Sequence, residues 1–276
     1  MALFLTLMVR DEADIIDANL RWHLEQGIDH ILVTDHLSND ATPDILAGYA
    51  RAGAATIIGK TDPQYAQSEW VTDMARRAAQ MGADWVIHAD ADEFWMPPAG
   101  QDLSTFFGKQ ARNGVILGHR RNMFCTGDPS DPFWRRMIWR DRISRNSAGN
   151  PLPPKVAHRA LPHVRVSMGN HSVSGVGRKH GTASGLDILH FPMRDLAQFT
   201  QKIRVGAQAI RKTDGLAPQD GASWLAQAEE LDRTGRIAFA DALMPTPDQI
   251  ISGLINATVV RDTRLRDALD FAYATT

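Results

Sequence analysis

Two aspartates separated by one residue, Asp90 and Asp92, follow the apolar segment 85–89, and Glu93 comes directly after them. The apolar segment predicts a buried strand. Because unpaired carboxylates are costly to bury, the acids should lie just beyond its end. Carboxylate oxygens are the ligands that hard divalent cations prefer. The pattern therefore indicates a cation site, and a solvated turn is the alternative interpretation.

Polar residues also follow two earlier apolar segments. Arg10 and Glu12 come after the segment 3–9, and Asp35 comes after the segment 30–34. At a strand end, the Asp35 carboxylate is placed to accept hydrogen bonds from a ribose or a base N–H. This part of the chain has neither a Gly-x-Gly-x-x-Gly loop nor a Gly-Lys-Ser/Thr motif. A nucleotide bound here would therefore hold its phosphates through a metal ion.

The elements that must position these residues alternate between strand and helix patterns, which is typical of βαβ units with a parallel sheet. Asp11 or Asp14 is expected to cap the first helix and Thr42 the second, and Gly27 should end the first. Further helices are expected over 64–81 and 101–112. From Leu196 onward the pattern is helical, with Pro218, Pro245 and Pro247 between the helices.

Composition excludes several classes of protein. The 276 residues are 43% hydrophobic and 22% charged, which is ordinary for a globular protein. A net charge of -2 gives no reason to expect nucleic acid as a partner. The single cysteine, Cys125, excludes an intramolecular disulfide and is expected to be a small packing residue. No transmembrane segment is expected, and the predicted location is cytoplasmic, with peripheral attachment at the inner membrane left open.

Three segments together resemble the nucleotide-sugar-binding motifs of the family 2 glycosyltransferases, which have a GT-A fold. They are Met8 to Glu12, Val33 to Thr42 and Asp84 to Phe94, the last containing Asp-Ala-Asp-Glu-Phe. The second segment departs from the common family pattern at His36, Leu37 and Ala41. The resemblance implies that Asp35 binds the nucleoside and that Asp90 and Asp92 flank a Mn2+ or Mg2+ ion bridging the diphosphate of a UDP- or GDP-sugar. Arg10, Glu12, Lys155 and Lys202 are further predicted donor contacts, although solvated surface charge is the default for each lysine.

An inverting transfer, which the family implies, needs a carboxylate to take the acceptor proton. Asp128, Asp131 and Asp141 are the candidates, and the first two are preferred because they lie in a predicted loop. Phe133, Trp134 and Trp139 follow that loop, and they either line an acceptor pocket or fold into the core. Glu93 either orients the metal or an acceptor hydroxyl, or pairs with an arginine of the second half.

Five histidines crowd one third of the chain. Catalysts with this fold commonly add a histidine to the metal, and His171 and His190 are the predicted ligands by that resemblance. His158, His163 and His180 are expected to be hydrogen-bonded structural residues.

The sequence thus predicts an α/β protein with a mostly parallel, Rossmann-like GT-A sheet over residues 1–195 and a helical extension over 196–276 packed on it. The predicted function is metal-dependent sugar transfer from a nucleotide-sugar to a saccharide or other hydroxyl acceptor. A non-catalytic carbohydrate- or nucleotide-sugar-binding protein and a metal-dependent phosphohydrolase are the alternatives. The sequence also leaves room for a homo-oligomer.

Overall fold

The computed structural model describes residues 1–177, 181–217 and 220–274. His180 and Pro218 lie outside these residues. The chain forms two compact units, one made of residues 1–120 and 153–188 and the other of residues 121–152 and 189–276. We call them unit 1 and unit 2.

The strands and helices alternate regularly in the first third of the chain and less regularly afterwards. The strands are β1 (Leu3–Val9), β2 (His30–His36), β3 (Ala55–Lys60), β4 (Trp85–Asp90), β5 (Glu93–Met96), β6 (Asn113–Asn122), β7 (Trp139–Asp141), β8 (Lys155–Arg159), β9 (Arg165–Val166), β10 (Val173–Ser174), β11 (Gly181–His190) and β12 (Val259–Arg261). The helices are α1 (Ile16–Glu25), α2 (Thr42–Arg51), α3 (Gln67–Gln80), α4 (Leu103–Gly108), α5 (Phe133–Arg136), α6 (Leu196–Arg211), α7 (Ala222–Thr234), α8 (Ala238–Leu243), α9 (Pro247–Ile255) and α10 (Arg264–Ala274).

Eight strands form one sheet in the order β3-β2-β1-β4-β8-β6-β11-β5. The first four pair in parallel, as the alternating sequence pattern predicts. β8 then pairs antiparallel with both β4 and β6. The predicted α/β class is confirmed, with a parallel half that carries the helical crossovers and a half that contains antiparallel pairs.

Strand β1 is buried on both faces, as expected for a central parallel strand. Its odd-numbered residues, such as Leu5 and Leu7, pack in one cluster with Leu20 of α1. Phe4 and Met8 pack in a second cluster with Met74 of α3. The period of two along the strand therefore divides one apolar run between two helical layers.

Two of the predicted helix caps are wrong. The residue before α1 is Ile15, which makes no side-chain cap. Thr42 is the first residue inside α2, and its Oγ1 accepts the Glu12 N–H at 3.0 Å. The Thr42 hydroxyl, which the local sequence pattern assigned to capping α2, therefore accepts a hydrogen bond from a residue that is distant in sequence. Gly27 does follow α1 in the left-handed region, where a Cβ would lie 2.6 Å from the Cβ of Ser104.

Unit 2 contains the helices after residue 195 together with the segment 121–152, and the predicted domain boundary at residue 195 stays a prediction. Strand β7 pairs with β12, more than a hundred residues later, which no local sequence pattern could reveal. Asp262 joins the two segments further, accepting hydrogen bonds from Arg140 at 2.8 Å and Arg264 at 2.7 Å. Every helix in the described part of the chain is too short or too polar to cross a lipid bilayer.

Aromatic side chains of the segment 133–139 pack inside unit 2. Phe133 is 5% exposed and stacks edge-on against Phe191. Trp134 lies parallel to Tyr273 at 5.1 Å between ring centres. For these two rings the structure favours the interpretation that they fold into the core. It does not favour the alternative that they line an acceptor pocket. Cys125 is buried too, as expected for a packing residue.

Candidate functional site

Asp35 and Asp90 lie at the same edge of the parallel sheet. Central strand β1 pairs Val9 with Asp35 of β2 and Met8 with Asp90 of β4. The two aspartates are thus separated by two strand spacings, or roughly 10 Å between Cα atoms. This is the carboxyl edge of the strands, where open α/β sheets bind ligands.

Hydrogen bonds join the loops that follow β1 and β2. The Asp11 N–H donates to Ser38 Oγ at 3.0 Å, and the Asn39 N–H donates to Asp11 Oδ1 at 2.7 Å. Asp11 and Leu37 both adopt a positive φ, of 51° and 60°. Strain of this kind in residues other than glycine persists where the surroundings over-determine the backbone. The two loops are therefore braced against each other beside Asp35.

The predicted donor contacts in these loops differ in exposure. Arg10 is half-buried, with its Nε 3.7 Å from Asp11 Oδ2. Glu12 is only 6% exposed. Asp35 is half-buried, and its Oδ1 accepts the Ser38 N–H at 3.3 Å. Arg10 and Asp35 thus present polar atoms at the sheet edge, and Glu12 lies deeper.

The acidic cluster at the end of β4 is built around Lys155, which lies on the neighbouring strand β8. Its Nζ is 2.6 Å from Asp90 Oδ2 and 3.0 Å from Glu93 Oε2. Lys155 is 1% exposed, Glu93 0% and Asp92 2%, whereas the Asp90 side chain is 37% exposed. Asp90 is therefore the carboxylate of the cluster that faces solvent, and the buried Lys155 contacts it from the protein interior.

Asp90 and Lys155 each stabilise the charged form of the other. Burial acts to raise the pKa of Asp90, but Lys155 outweighs it and holds that pKa below its ordinary value. Burial acts to lower the pKa of Lys155, and the Asp90 and Glu93 carboxylates raise it instead. Arg120 adds a second cation, with its Nη1 3.7 Å from Glu93 Oε1. Buried charges are tolerated here because each faces an opposite charge.

Glu93 also supports the backbone of the cluster. Its Oε2 accepts the Asp90 N–H at 3.0 Å. The completely buried carboxylate thus contacts Lys155, Arg120 and the turn that carries Asp90 and Asp92, which fits the pairing interpretation of Glu93. A direct contact with an acceptor hydroxyl is not what this burial favours.

The third side of the cluster is formed by α3 and the turn before His171. Gln67 Nε2 is 3.4 Å from Asp90 Oδ1, and Gln67 Oε1 accepts the Gly169 N–H at 2.9 Å. Asn170 is 1% exposed, has a φ of 59°, and its buried Oδ1 has no hydrogen-bond partner among the described residues. Such an acceptor is normally satisfied by water or a ligand.

His171 is neutral at pH 7. Burial, followed by the charges of Lys155 and Arg120, lowers its pKa to about 4. Its Nδ1 lies 2.9 Å from the Pro154 carbonyl and must carry the proton, so Nε2 keeps its lone pair. A neutral imidazole with a free lone pair is the form that ligates metals.

The remaining predicted residues belong to unit 2. Asp128 is exposed, and hydrogen bonds from the Ser130 backbone and hydroxyl hold its pKa below the ordinary value. The Asp131 carbonyl accepts from Arg136 Nε at 3.3 Å, and His190 Nδ1 lies 2.7 Å from Asn122 Oδ1. Lys202 lies half-buried on α6. The roles of these four residues stay predictions.

Gln67, Arg120 and Asn170 are three neighbours of the cluster to which the sequence analysis gave no role. Gln67 lies on a helix in which the sequence pattern identifies only the residues of the apolar face. Arg120 ends a run of alternating residues that reads as an ordinary strand. The sequence signal for Asn170 is its place beside His171, within the segment 169–172.

The described residues contain no group of three or more His, Cys, Asp or Glu side chains that could hold a metal. The donor set of Asp90 and Asp92 nevertheless suits a hard cation, because Mg2+ is commonly held by one or two carboxylates plus substrate phosphates and water. These two carboxylates therefore suit a metal whose remaining ligands are phosphates and water, and they do not form a site made by protein alone.

No protein-family model matches the sequence, and no curated protein matches it either. Among solved structures, TarS from S. aureus in complex with UDP-GlcNAc matches with a TM-score of 0.45 and 10% identity, over 100% of this chain and 92% of that one. Glucosyl-3-phosphoglycerate synthase from Mycobacterium tuberculosis, in complex with Mn2+, UDP and phosphoglyceric acid, matches with a TM-score of 0.42 and 13% identity, over 76% of this chain and 78% of that one. At such low identity these are likenesses, and the charged cluster at the sheet edge is the feature of this chain that bears on its function.

Proposed function

We propose that the protein is a glycosyltransferase that moves a sugar from a UDP- or GDP-sugar to an acceptor hydroxyl. The observation that carries the proposal is the strand register, which brings Asp35 and Asp90 to one edge of the parallel sheet. Asp35 is suited to a nucleoside, and the Asp90 end of the cluster is suited to a diphosphate with its cation. Two chemically different subsites about 10 Å apart suit an elongated nucleotide-sugar.

In this proposal the chain binds the donor along the edge. Asp35 accepts hydrogen bonds from the ribose or base, and Arg10 lies between it and Asp90. Asp90 and Asp92 would hold Mn2+ or Mg2+, with His171 as a further ligand. When bound, that cation stabilises the negative charge that develops on the leaving diphosphate.

The transfer itself is a displacement at the anomeric carbon of the donor sugar. A carboxylate takes the proton of the acceptor hydroxyl, whose oxygen then forms the new bond to the anomeric carbon. The bond from that carbon to the diphosphate oxygen breaks, and the nucleoside diphosphate departs with the electron pair. Attack from the face opposite the leaving group inverts the configuration.

Asp128, Asp131 and Asp141 are the candidate bases. Burial raises the pKa of Asp141 above its ordinary value, against the opposing charge of Arg145. A higher pKa makes its carboxylate a stronger base than that of Asp128, whose pKa is lowered. We therefore expect Asp141→Asn to reduce kcat more than Asp128→Asn does. A larger loss of kcat in Asp128→Asn would instead identify the loop that contains Asp128 as the source of the base.

Binding is tested by thermal unfolding with a panel of UDP- and GDP-sugars, with and without Mn2+. The proposal predicts stabilisation by one nucleotide class that requires Mn2+. Release of the free nucleoside diphosphate, accelerated by an acceptor, would then establish transfer. Stabilisation without any release would favour the binding protein, and cleavage of simple phosphate esters would favour the phosphohydrolase.

A substitution within the cluster gives the sharper test. Asp92→Asn removes one charge at nearly constant volume, and we expect Mn2+-dependent donor affinity to fall by at least about tenfold. Asp44→Asn, at an exposed position in the first turn of α2, is the matched control and should leave affinity unchanged. Equal donor affinity in both variants would contradict the assignment of Asp92 as a metal ligand.

A further inference from the structure

Lys155 forms ion pairs with two carboxylates of the acidic cluster, those of Asp90 and Glu93. Its ammonium donates to Asp90 Oδ2 at 2.6 Å, so it holds an oxygen of the same carboxylate that the proposed function assigns to a divalent cation. At 1% exposure, the ammonium has little access to solvent. The ammonium contacts two carboxylates, and its predicted contact with the diphosphate stays a prediction.

A divalent ion at Asp90 would lie beside a cation that is already there. Lys155 Nζ is 2.6 Å from Asp90 Oδ2, so an ion bound to that oxygen would compete with the ammonium and be repelled by it. A negatively charged diphosphate that binds with the ion would offset this repulsion. Metal and nucleotide are therefore favoured as a pair.

We propose that Lys155 is a built-in counter-cation that keeps divalent metal from binding at Asp90 until the donor diphosphate is present. The inference rests on the proposed function. Lys155 acts here as a positioning residue, since it touches Asp90 and Glu93 and holds their carboxylates in place.

Glu93 makes this exchange feasible. It is 0% exposed and has Lys155 Nζ at 3.0 Å. When Asp90 Oδ2 turns to a metal, the ammonium keeps Glu93 as its partner. Arg120, at 3.7 Å from the other Glu93 oxygen, lies on the far side of the same carboxylate. The lysine therefore need not leave the buried cluster when Asp90 changes partner.

The test measures Mn2+ binding directly, by the loss of the free-ion signal in electron paramagnetic resonance, with and without UDP or GDP. We expect the wild-type protein to bind Mn2+ weakly alone and at least about tenfold more tightly with the nucleotide. We expect Lys155→Met to bind Mn2+ without nucleotide about tenfold more tightly than the wild type, because a positive charge beside the ligand has gone. Lys155→Arg keeps the charge and should bind Mn2+ alone as weakly as the wild type.

Removing Lys155 leaves the buried Glu93 with one partner fewer, so the fold of Lys155→Met is checked by circular dichroism. Lys155→Gln also lacks the positive charge, but its amide can still donate a hydrogen bond in the cluster, and it should show the same gain in Mn2+ affinity. Lys109→Met, at an exposed position after α4, is the matched lysine control and should show no gain.

The outcomes separate the two proposals. If nucleotide-free Mn2+ binding is equally tight in the wild type and in a folded Lys155→Met or Lys155→Gln variant, the role given to Lys155 is overturned, whatever the nucleotide does. If neither UDP nor GDP changes Mn2+ binding or thermal stability of the wild type, the proposed function fails instead. A gain in Mn2+ affinity confined to the variants that lack the Lys155 charge supports the inference.

Discussion

Mild acid should destabilise the protein through two buried histidines of unit 1. Burial lowers the pKa of His23 and of His158 from 6.5 to about 4. In His23, Nδ1 donates to the Asn19 carbonyl at 2.9 Å, and Nε2 lies 3.4 Å from the Trp95 N–H as its acceptor. In His158, Nδ1 donates to the Arg159 carbonyl at 2.8 Å, and Nε2 is buried without a partner. A second proton on either ring would have no acceptor.

The sign and size of the effect follow from these pKa values. Since the folded state disfavours protonation, the unfolded chain binds more protons once the pH falls below 6.5, and stability is lost until the pH reaches about 4. At pH 5 each histidine then costs roughly 2 kcal/mol relative to pH 7 or above. The two together cost about 4 kcal/mol, a large part of the 5–15 kcal/mol typical of a folded protein. Aspartates titrate mostly below this window, so the histidines dominate it.

Urea unfolding at pH 7, 6 and 5 measures this loss. The wild type should lose unfolding free energy with a slope near pH 5 that corresponds to at least two protons, since burial also lowers the pKa of His88 and of His171. His158→Gln should be less stable at pH 7, but its slope should be smaller by about one proton. A wild-type profile that is flat from pH 7 to 5, or a slope unaffected by His158→Gln, would refute the reasoning.

Two further predictions concern packing and a buried ion pair. Although burial opposes its ionisation, hydrogen bonds from two arginines lower the pKa of Asp262 to about 2. Asp262→Asn should therefore reduce the unfolding free energy at pH 7 by about 2 kcal/mol, and the difference should vanish near pH 2; equal urea midpoints at pH 7 would contradict this. A Cβ on Gly118 would lie 2.6 Å from Trp95 Cζ3, so Gly118→Ala should cost about 1–3 kcal/mol in urea unfolding. Gly48→Ala, with no atom within 4 Å of the added Cβ, is the control and should not destabilise.

Much of the parallel half could be predicted from the sequence because its signals are local. Apolar runs such as 3–9 and 85–89 predict the strands, and the helical spacing of apolar residues between them predicts the helices that connect those strands. Since parallel strands share a carboxyl edge, Asp35 and Asp90 were predicted to lie at one edge, and the register confirms it. The antiparallel strand β8 had no such signal, because its pairing with β4 joins residues about seventy positions apart.

The sequence by itself determined the α/β class, the edge on which the polar residues gather and the carboxylates that stand there. These follow from side-chain period and chain direction, which are properties of short segments. Only the tertiary structure decided which groups neutralise those carboxylates: Lys155 comes from a strand 65 residues further along the chain, and Arg120 and Gln67 come from other elements. Because the energy of a buried charge depends on what lies within a few ångströms of it, and not on its sequence neighbours, the state of Asp90 and Glu93 could be read only from the folded chain.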